Sequence, residues 1–179
     1  MQVIKTELEG DVIIEPKVFE DHRGFFLETF HAQRYAEQAG IELAFVQDNY
    51  SRSLEQGVLR GLHFQKTKPQ GKLIRCVRGE IYDVAVDIRQ GSATYGQWFG
   101  VLLNEDNKHQ IYVPPGFAHG FQVVSAQGAD VEYKCTDYYD PSDEGCIIWN
   151  DQSLAIEWPL TQPILSDKDA QAGDLSSVV

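Results

Sequence analysis

The sequence predicts an all-β fold, either a sandwich or a jelly-roll barrel, because it contains many short strand-like runs. Within these runs apolar and polar residues alternate with a period of two, and Gly, Pro, Asn and Asp residues separate one run from the next. Many short strands at this spacing are typical of sandwiches and barrels. We expect strands at residues 12–18, 24–29, 44–51, 58–65, 72–77, 96–103, 110–113, 120–125, 131–138 and 146–149.

The clearest alternation occurs in the sequence CVRGEIYDVAVDIR, at residues 76–89. Residues 81, 83, 85 and 87 form one face of a strand, and residues 82, 84, 86 and 88 form the other. The sequence Arg78-Gly79-Glu80 supplies a turn before this strand, so the segment is predicted to be a β-hairpin.

One helix is clear, at HAQRYAEQAG (residues 31–40). Ala32, Tyr35, Ala36 and Ala39 fall on one stripe at helical spacing, and Gly40 can cap the C-terminal end. After residue 149 the pattern becomes irregular, which indicates short turns or helices that pack across the barrel. The last residues, 173–179, are expected to be frayed.

Length and composition indicate one folded domain. The chain has 179 residues, of which 42% are hydrophobic, and a single domain of residues 1–179 can bury a substantial core at this length. The first residues carry acids where a secretory signal needs an apolar run, and no segment approaches the ~20 apolar residues of a membrane span. We therefore expect a cytoplasmic protein with no membrane partner, whose three cysteines are buried, reduced thiols.

The charges are unevenly distributed. A net charge of −12 argues against a nucleic-acid partner, because nucleic-acid-binding surfaces are usually basic. Six basic residues nevertheless crowd together, namely Arg60, Lys66, Lys68, Lys72, Arg75 and Arg78. This basic cluster forms either a solvated strand face or a local pocket for an anionic small molecule.

Polar residues on the inward face of barrel strands are the expected place for chemistry. Alternate residues of a strand lie on the same face, a rule that we call strand parity. It defines four such faces, formed by residues 45, 47 and 49, by residues 72, 74 and 76, by residues 117, 119 and 121, and by residues 133, 135, 137 and 139. The polar members of these faces include Gln47, Asn49, Lys72, His119 and Tyr133. Such groups need a partner or a ligand, because burying them unpaired is costly.

His63 lies in the strand-like sequence VLRGLHFQ, at residues 58–65. Strict alternation turns His63 and Arg60 to opposite faces, unless Gly61 marks a β-bulge that re-aims the chain. A histidine in an apolar strand is most often structural, so its role depends on the groups around it.

Three familiar chemistries fit the sequence poorly. A catalytic metal needs more than His63 and His119, which have no inward carboxylate of suitable spacing near them. A serine hydrolase would need a GxSxG turn and a nucleotide hydrolase a glycine-rich phosphate loop, and the sequence contains neither. The remaining hypothesis is proton transfer without a metal. A histidine base, a tyrosine acid and a lysine that neutralises an oxyanion would epimerise a carbon next to a carbonyl.

Seven sequence blocks resemble the dTDP-4-dehydrorhamnose 3,5-epimerase family and follow its order. They are FEDHRGFFLETF, FVQDNYSRS, GVLRGLHFQ, GKLIRCVRGEIYDVAVDIRQGSATYGQW, VPPGFAHGF, YKCTDYYDP and ILSDKD, and they extend over nearly the whole chain. The resemblance implies a cupin-type jelly-roll barrel with short peripheral helices, without a metal or another cofactor. It also implies a homodimer that inverts C3 and C5 of a dTDP-4-keto-6-deoxyhexose.

The resemblance further implies a role for each matching residue. His63 of RGLHFQ would be the general base, and Tyr133 of YKCTDYY would be the general acid. Lys72 would stabilise the enolate oxygen, and Asp169 of LSDKD would fix the tautomer of the histidine. The positions that match the family's substrate-binding residues are Arg23, Glu28, Gln47, Asp48, Asn49, Arg60, His119, Tyr138, Tyr139, Glu144 and Lys168. Of the two tyrosines that could stack on thymine, strand parity favours Tyr139.

Three other functions remain open on the sequence. A relative on the same scaffold could invert one carbon only, or isomerise the ketone. A sugar-nucleotide-binding protein without catalysis would need the aromatic and basic positions, but not the pair of His63 and Asp169. A metal-dependent oxygenase of the same fold would be distinguished by metal analysis of the purified protein.

Overall fold

The computed structural model describes residues 1–178 and confirms an all-β architecture with short helices. The strands are β1 (Gln2–Lys5), β2 (Val12–Glu15), β3 (Val18–Asp21), β4 (Gly24–Leu27), β5 (Gln47–Ser53), β6 (Leu59–Gln65), β7 (Lys72–Arg78), β8 (Glu80–Asp87), β9 (Trp98–Asn104), β10 (Gln110–Val113), β11 (Phe117–Val123), β12 (Ala129–Cys135) and β13 (Glu144–Cys146). The helices are α1 (Ala32–Ala39), α2 (Asp167–Ala170) and α3 (Leu175–Val178).

Two antiparallel sheets face each other and form a jelly-roll barrel. The six-stranded sheet has the order β1-β2-β10-β7-β12-β5, and the five-stranded sheet has the order β13-β6-β11-β8-β9. The main apolar core includes Ile74 and Val131 from the first sheet and Phe117 and Phe121 from the second. A second apolar cluster joins the five-stranded sheet to the C-terminal segment, which contributes Trp158 among other residues.

The predicted hairpin at residues 76–89 is wrong. β7 pairs with β10 and β12 in the six-stranded sheet, whereas β8 pairs with β11 and β9 in the five-stranded sheet. The chain crosses between the sheets at Gly79, which has a φ of 75°. A Cβ at this position would lie 2.3 Å from the backbone oxygen of Gly128, so no side chain fits. One face of β8 packs in the main apolar core and the other face packs in the second apolar cluster. The alternating residues of β8 therefore face two different cores, and neither face is turned to solvent.

The helix expected at residues 31–40 forms as α1. Its N-cap His31 accepts a hydrogen bond from the backbone N–H of Arg34, and Gly40 caps the other end with a φ of 70°. The expected fraying is wrong for α3, because Leu175 is buried and its N–H donates to Oδ2 of Asp151 at 2.7 Å. Residue 179, the end of that expected frayed segment, lies outside the described residues.

The strand expected at residues 12–18 is divided into β2 and β3 around Pro16, which has no N–H to donate to a sheet. β3 then pairs with β4 alone, as a separate two-stranded hairpin. Three phenylalanines of this hairpin, Phe19, Phe25 and Phe26, are more than half exposed. In the part of the chain that the structure describes, no helix is long and apolar enough to cross a membrane.

Candidate active site

Two adjoining cavities of about 410 and 320 Å³ share the side chains of His63, Lys72 and Tyr133. We refer to the two together as the barrel cavity. His63 belongs to β6 of the five-stranded sheet, whereas Lys72 and Tyr133 belong to β7 and β12 of the six-stranded sheet. The barrel cavity therefore lies between the sheets, with the histidine on one wall and the lysine and the tyrosine on the other.

His63 and Arg60 both line the barrel cavity because β6 is irregular at Gly61. On β11, His119 pairs with His63. The next pair joins Phe121 of β11 to Arg60 of β6. The two pairs are two residues apart on β11 but three apart on β6, so β6 contains one extra residue here. Gly61 has a φ of 119°, and a Cβ on it would lie 2.6 Å from the backbone of β11. Of the two alternatives for this strand, strict alternation or a β-bulge at Gly61, the structure has the bulge.

Asp169 is hydrogen-bonded to His63, with 2.6 Å between its Oδ1 and Nε2 of the ring. Helix α2 carries this carboxylate, and its N-cap Ser166 accepts a hydrogen bond from the N–H of Asp169 at 3.1 Å. Burial by itself would raise the pKa of Asp169, but the hydrogen bond and the charge of His63 outweigh it and hold the pKa below its ordinary value. Nδ1 of His63 is then the ring nitrogen left to exchange a proton with a ligand.

His119 and Asp83 form a second imidazole–carboxylate pair, which was not predicted from the sequence. Nε2 of His119 lies 2.9 Å from both carboxylate oxygens of Asp83, and both side chains are buried. The expectation that the two histidines have no inward carboxylate near them is therefore wrong, because each has one. The sequence signal for this pair is that Asp83 lies on the same strand face as the apolar residues Ile81 and Ala85, which both belong to the main core. An acid on such a face needs a buried partner.

Burial shifts the pKa values of Lys72 and Tyr133. Burial lowers the pKa of the Lys72 ammonium, and nearby acidic groups oppose this shift. Burial also raises the pKa of the Tyr133 phenol, so the phenol is protonated at neutral pH. Cys135 is the cross-strand partner of Lys72 and lines the cavity beside it.

Several of the expected binding residues form a polar group on one side of the barrel cavity. Gln47 Nε2 donates to Oδ1 of Asn49 at 3.0 Å. Oε2 of Glu144 accepts hydrogen bonds from the Tyr139 hydroxyl at 3.0 Å and from Lys168 Nζ at 2.9 Å. Burial tends to raise the pKa of Glu144, but the hydrogen bond from Lys168 and nearby positive charge bring it below its ordinary value.

Four of the expected binding residues lie outside the barrel cavity of this chain. Tyr138 is 67% exposed, so Tyr139 is the tyrosine of this pair that lines the cavity. Asp48 accepts a hydrogen bond from a lysine at 2.8 Å and lines a different cavity. Arg23 lies on the exposed β3–β4 hairpin and Glu28 follows it, and each forms an ion pair with a residue near it in sequence.

Strand parity located the inward polar groups but failed beyond the strand ends. β5 begins at Gln47, and Phe45 packs in a separate apolar cluster with Phe30 and Tyr112. β12 ends at Cys135, so parity does not apply to residue 137, although residue 139 returns to the cavity through the following loop.

The basic cluster is divided by the fold. Arg60 and Lys72 line the barrel cavity. Arg75 and Arg78 instead form ion pairs with acids of β12, and the two lysines at positions 66 and 68 are exposed. The two exposed lysines are solvated, and the anion-pocket interpretation stays a prediction for Arg60 and Lys72.

This chain is similar to known sugar-nucleotide epimerases along nearly its whole length. The family model described as dTDP-4-dehydrorhamnose 3,5-epimerase matches residues 5–177. The dTDP-4-dehydrorhamnose 3,5-epimerase of Salmonella typhimurium is 55% identical over 174 residues, which cover 96% of this chain and 94% of that protein.

Two crystal structures show the same similarity in three dimensions. The dTDP-6-deoxy-D-glucose-3,5-epimerase of Legionella pneumophila Philadelphia 1, in complex with dTDP-4-keto-L-rhamnose, is 55% identical with a TM-score of 0.94, covering 98% of this chain and 93% of that one. A 3'-monoepimerase from Streptomyces bikiniensis, in complex with dTDP-quinovose, is 32% identical with a TM-score of 0.88, covering 98% of this chain and 88% of that one.

Proposed function

Because the chain belongs to the dTDP-4-dehydrorhamnose 3,5-epimerase family, we propose that it inverts C3 and C5 of dTDP-4-dehydro-6-deoxy-D-glucose to give dTDP-4-dehydro-L-rhamnose. The observation that carries this proposal is the position of His63 and Tyr133 on opposite sheets, on either side of one cavity. A sugar ring between them has a proton acceptor on one face and a proton donor on the other, which is what inversion requires.

The ketone at C4 acidifies the protons on both C3 and C5. In the proposed mechanism Nδ1 of His63 removes such a proton while Asp169 stabilises the imidazolium through Nε2. The electron pair moves onto the C4 oxygen, where the ammonium of Lys72 neutralises the enolate. Tyr133 then returns a proton to the carbon from the other face, and its raised pKa ensures that it carries that proton at neutral pH. The same groups serve the second carbon after the ring is reoriented.

The diphosphate and thymine of the substrate have candidate partners next to these residues. Arg60 and Lys168 line the larger part of the barrel cavity and supply positive charge for the diphosphate. Tyr139 lines the other part and is half exposed, so its ring can stack on thymine. The amides of Gln47 and Asn49 lie on the same side and can hydrogen-bond the base.

The similarity to a monoepimerase keeps inversion at C3 alone as a second candidate function. Incubation of the purified protein with dTDP-4-keto-6-deoxy-D-glucose, followed by reduction of the ketone and NMR of the sugar, separates the two. Double inversion predicts a product with the L-rhamnose configuration. A product inverted at C3 alone would establish the second candidate, and unchanged sugar would leave only a binding function.

We also propose that the protein is a homodimer in which the β3–β4 hairpin contacts the second copy. Phe25 and Phe26 expose apolar surface there, and Arg23 and Glu28 lie outside the cavity of their own chain. A second copy could receive these two charged residues in its barrel cavity, where the resemblance assigns them to substrate binding.

Co-expression of Arg23→Ala and His63→Asn chains with different tags tests this arrangement. If each site combines His63 of one chain with Arg23 of the other, a mixed dimer has one site in which both of these residues are native. It should therefore recover about half of the wild-type activity, although the dimers of each single variant are impaired. Purified mixed dimers without recovered activity would show that Arg23 does not act in the partner's site. A monomer in sedimentation equilibrium would overturn the dimer itself.

A further inference from the structure

Cys146 lies next to the proposed base, although the mechanism does not use it. Its strand β13 pairs with β6, and Cys146 is the cross-strand partner of His63. The flanking residues Leu62 and Ile147 exchange both of their backbone hydrogen bonds, at 3.1 and 2.9 Å. The pair of His63 and Cys146 therefore occupies a non-hydrogen-bonded site, where the side chains of antiparallel partners approach most closely on one face of the sheet.

The carboxylate of Asp169 completes a three-residue cluster with these two side chains. Sγ of Cys146 lies 3.6 Å from Oδ1 of Asp169, which is also the oxygen that contacts His63. The sulfur, the nearest ring nitrogen and the carboxylate oxygen all lie within 4.8 Å of one another. Zinc bound to sulfur, nitrogen and oxygen at its usual distances of about 2.0–2.3 Å needs its ligand atoms roughly 3.3–3.8 Å apart in a tetrahedron. Small side-chain movements satisfy this requirement.

We propose that His63, Cys146 and Asp169 bind a thiophilic divalent cation such as Zn²⁺, and that this cation inhibits the enzyme. Three protein ligands of this kind, with a fourth position open to water, form a common zinc coordination set. Thiolate and imidazole favour zinc over the magnesium or calcium ions that prefer oxygen ligands.

The binding step balances without an oxidant or another reactant. The Cys146 thiol releases its proton to solvent as the metal–sulfur bond forms. Nε2 of His63 gives up its hydrogen bond with Asp169 for the metal, and the ring proton moves to Nδ1. The nitrogen that faces the substrate is then protonated and cannot accept a proton from carbon, so the cation stops the first step of epimerisation. The inhibition rests on the proposed function, whereas the binding of the cation does not.

Direct zinc binding is the primary test, made by equilibrium dialysis on the full chain with any affinity tag removed. We expect one Zn²⁺ per chain at micromolar concentration, and binding weaker by more than about tenfold in Cys146→Ser, which keeps a hydroxyl near Asp169 but loses the sulfur ligand. Cys135→Ser is the matched control, because this cysteine lines the same cavity from the opposite sheet and should keep the wild-type affinity. Equal affinity in wild type and Cys146→Ser, or no stoichiometric zinc in wild type, would overturn the site.

Inhibition is measured separately, relative to the zinc-free activity of each variant. Wild type should lose activity over the concentration range in which zinc binds and regain it with a chelator, whereas Cys146→Ser should require more zinc by the same factor as in the binding experiment. Stoichiometric binding that leaves the activity intact would overturn the inhibitory role and keep the site. A protein that binds zinc but turns over no sugar nucleotide would contradict the proposed function instead.

Discussion

Nε2 of His63 and Oδ1 of Asp169 lie 2.6 Å apart, although 106 positions of sequence separate the two residues. The contact depends on the short helix α2, which Ser166 caps, and which places one buried carboxylate against the five-stranded sheet. A carboxylate on one ring nitrogen fixes the tautomer and stabilises the protonated ring, so the other nitrogen becomes the better base.

The substitution His63→Asn should leave the fold intact and reduce kcat by roughly 10²–10⁴-fold, because an amide cannot accept a proton at neutral pH. His109→Asn is a suitable control, since His109 contacts Glu15 away from the barrel cavity and should keep wild-type turnover. Product formation is followed by NMR, with circular dichroism as the check of folding. Near-normal turnover in the folded His63 variant would remove His63 from the role of base.

The substitution Tyr133→Phe should separate deprotonation from inversion. The variant keeps His63 and Lys72 and can form the enolate, but it lacks the proton donor on the other wall of the cavity. In D₂O we expect solvent deuterium at the acidic carbons with strongly reduced inversion, measured by NMR of the C3 and C5 positions. Tyr95→Phe serves as the control because Tyr95 is exposed on the loop between β8 and β9 and does not line the barrel cavity. Equal loss of exchange and inversion would show that the phenol is needed to form the enolate.

The substitution Lys72→Ala should slow turnover much more than it weakens the binding of dTDP. The ammonium acts where charge develops in the transition state, and removal of one such group costs about 3 kcal/mol there. Affinity for dTDP is measured by calorimetry, and the rate is measured at saturating substrate. A collapse of dTDP affinity with an unchanged rate for bound substrate would assign Lys72 to the diphosphate.

Asp83 should act through His119, whose ring it holds by two contacts of 2.9 Å. We expect Asp83→Asn to lower kcat/KM, because the amide has one oxygen in place of two and cannot hold the ring of His119 as the carboxylate does. In the background of His119→Asn the same substitution should have little further effect on kcat/KM. Additive losses in this double-mutant cycle would show that Asp83 has a separate, structural role.

Asp11 should make stability depend on pH near neutrality. Its side chain is 1% exposed, and among the described residues its Oδ1 has no hydrogen-bond partner while Oδ2 accepts from the Thr6 hydroxyl. Burial raises the pKa of this carboxyl to about 7, with the hydrogen bond from Thr6 opposing the shift and the charge of Asp83 adding to it. The folded state therefore holds the proton more tightly than the unfolded state, and its stability falls as pH rises from about 4 to about 7.

The substitution Asp11→Asn removes this titration. Between about pH 5 and about pH 8, the free energy of unfolding of the variant should increase relative to that of wild type. The increase cannot exceed about 4 kcal/mol, which corresponds to the full pKa shift of Asp11. Urea denaturation at both pH values measures the difference, with the exposed Asp106→Asn as the control. A constant difference between variant and wild type at the two pH values would mean that Asp11 is ionised throughout.

The all-β fold class and the principal side chains proposed for the site could be predicted from the sequence. Alternation with a period of two follows from strand geometry, so an all-β fold could be read from the residues alone. Gly61 was also recognisable as the place where a bulge would re-aim the strand, because a glycine inside a strand often marks a bulge or a close approach of another backbone. The motif around His63 and the block containing Tyr133 then pointed to the family.

The sheet that each strand joins and the contacts between distant groups could not be predicted from the sequence and are known from the three-dimensional structure. Alternation identifies the two faces of a strand but not what covers each face, which is why β7 and β8 were mistaken for a hairpin. The partnership of Asp83 with His119 and that of Cys146 with His63 depend on strand order and register. Those are set by contacts between segments far apart in the chain, and the residue types along one segment do not specify which distant segment it pairs with.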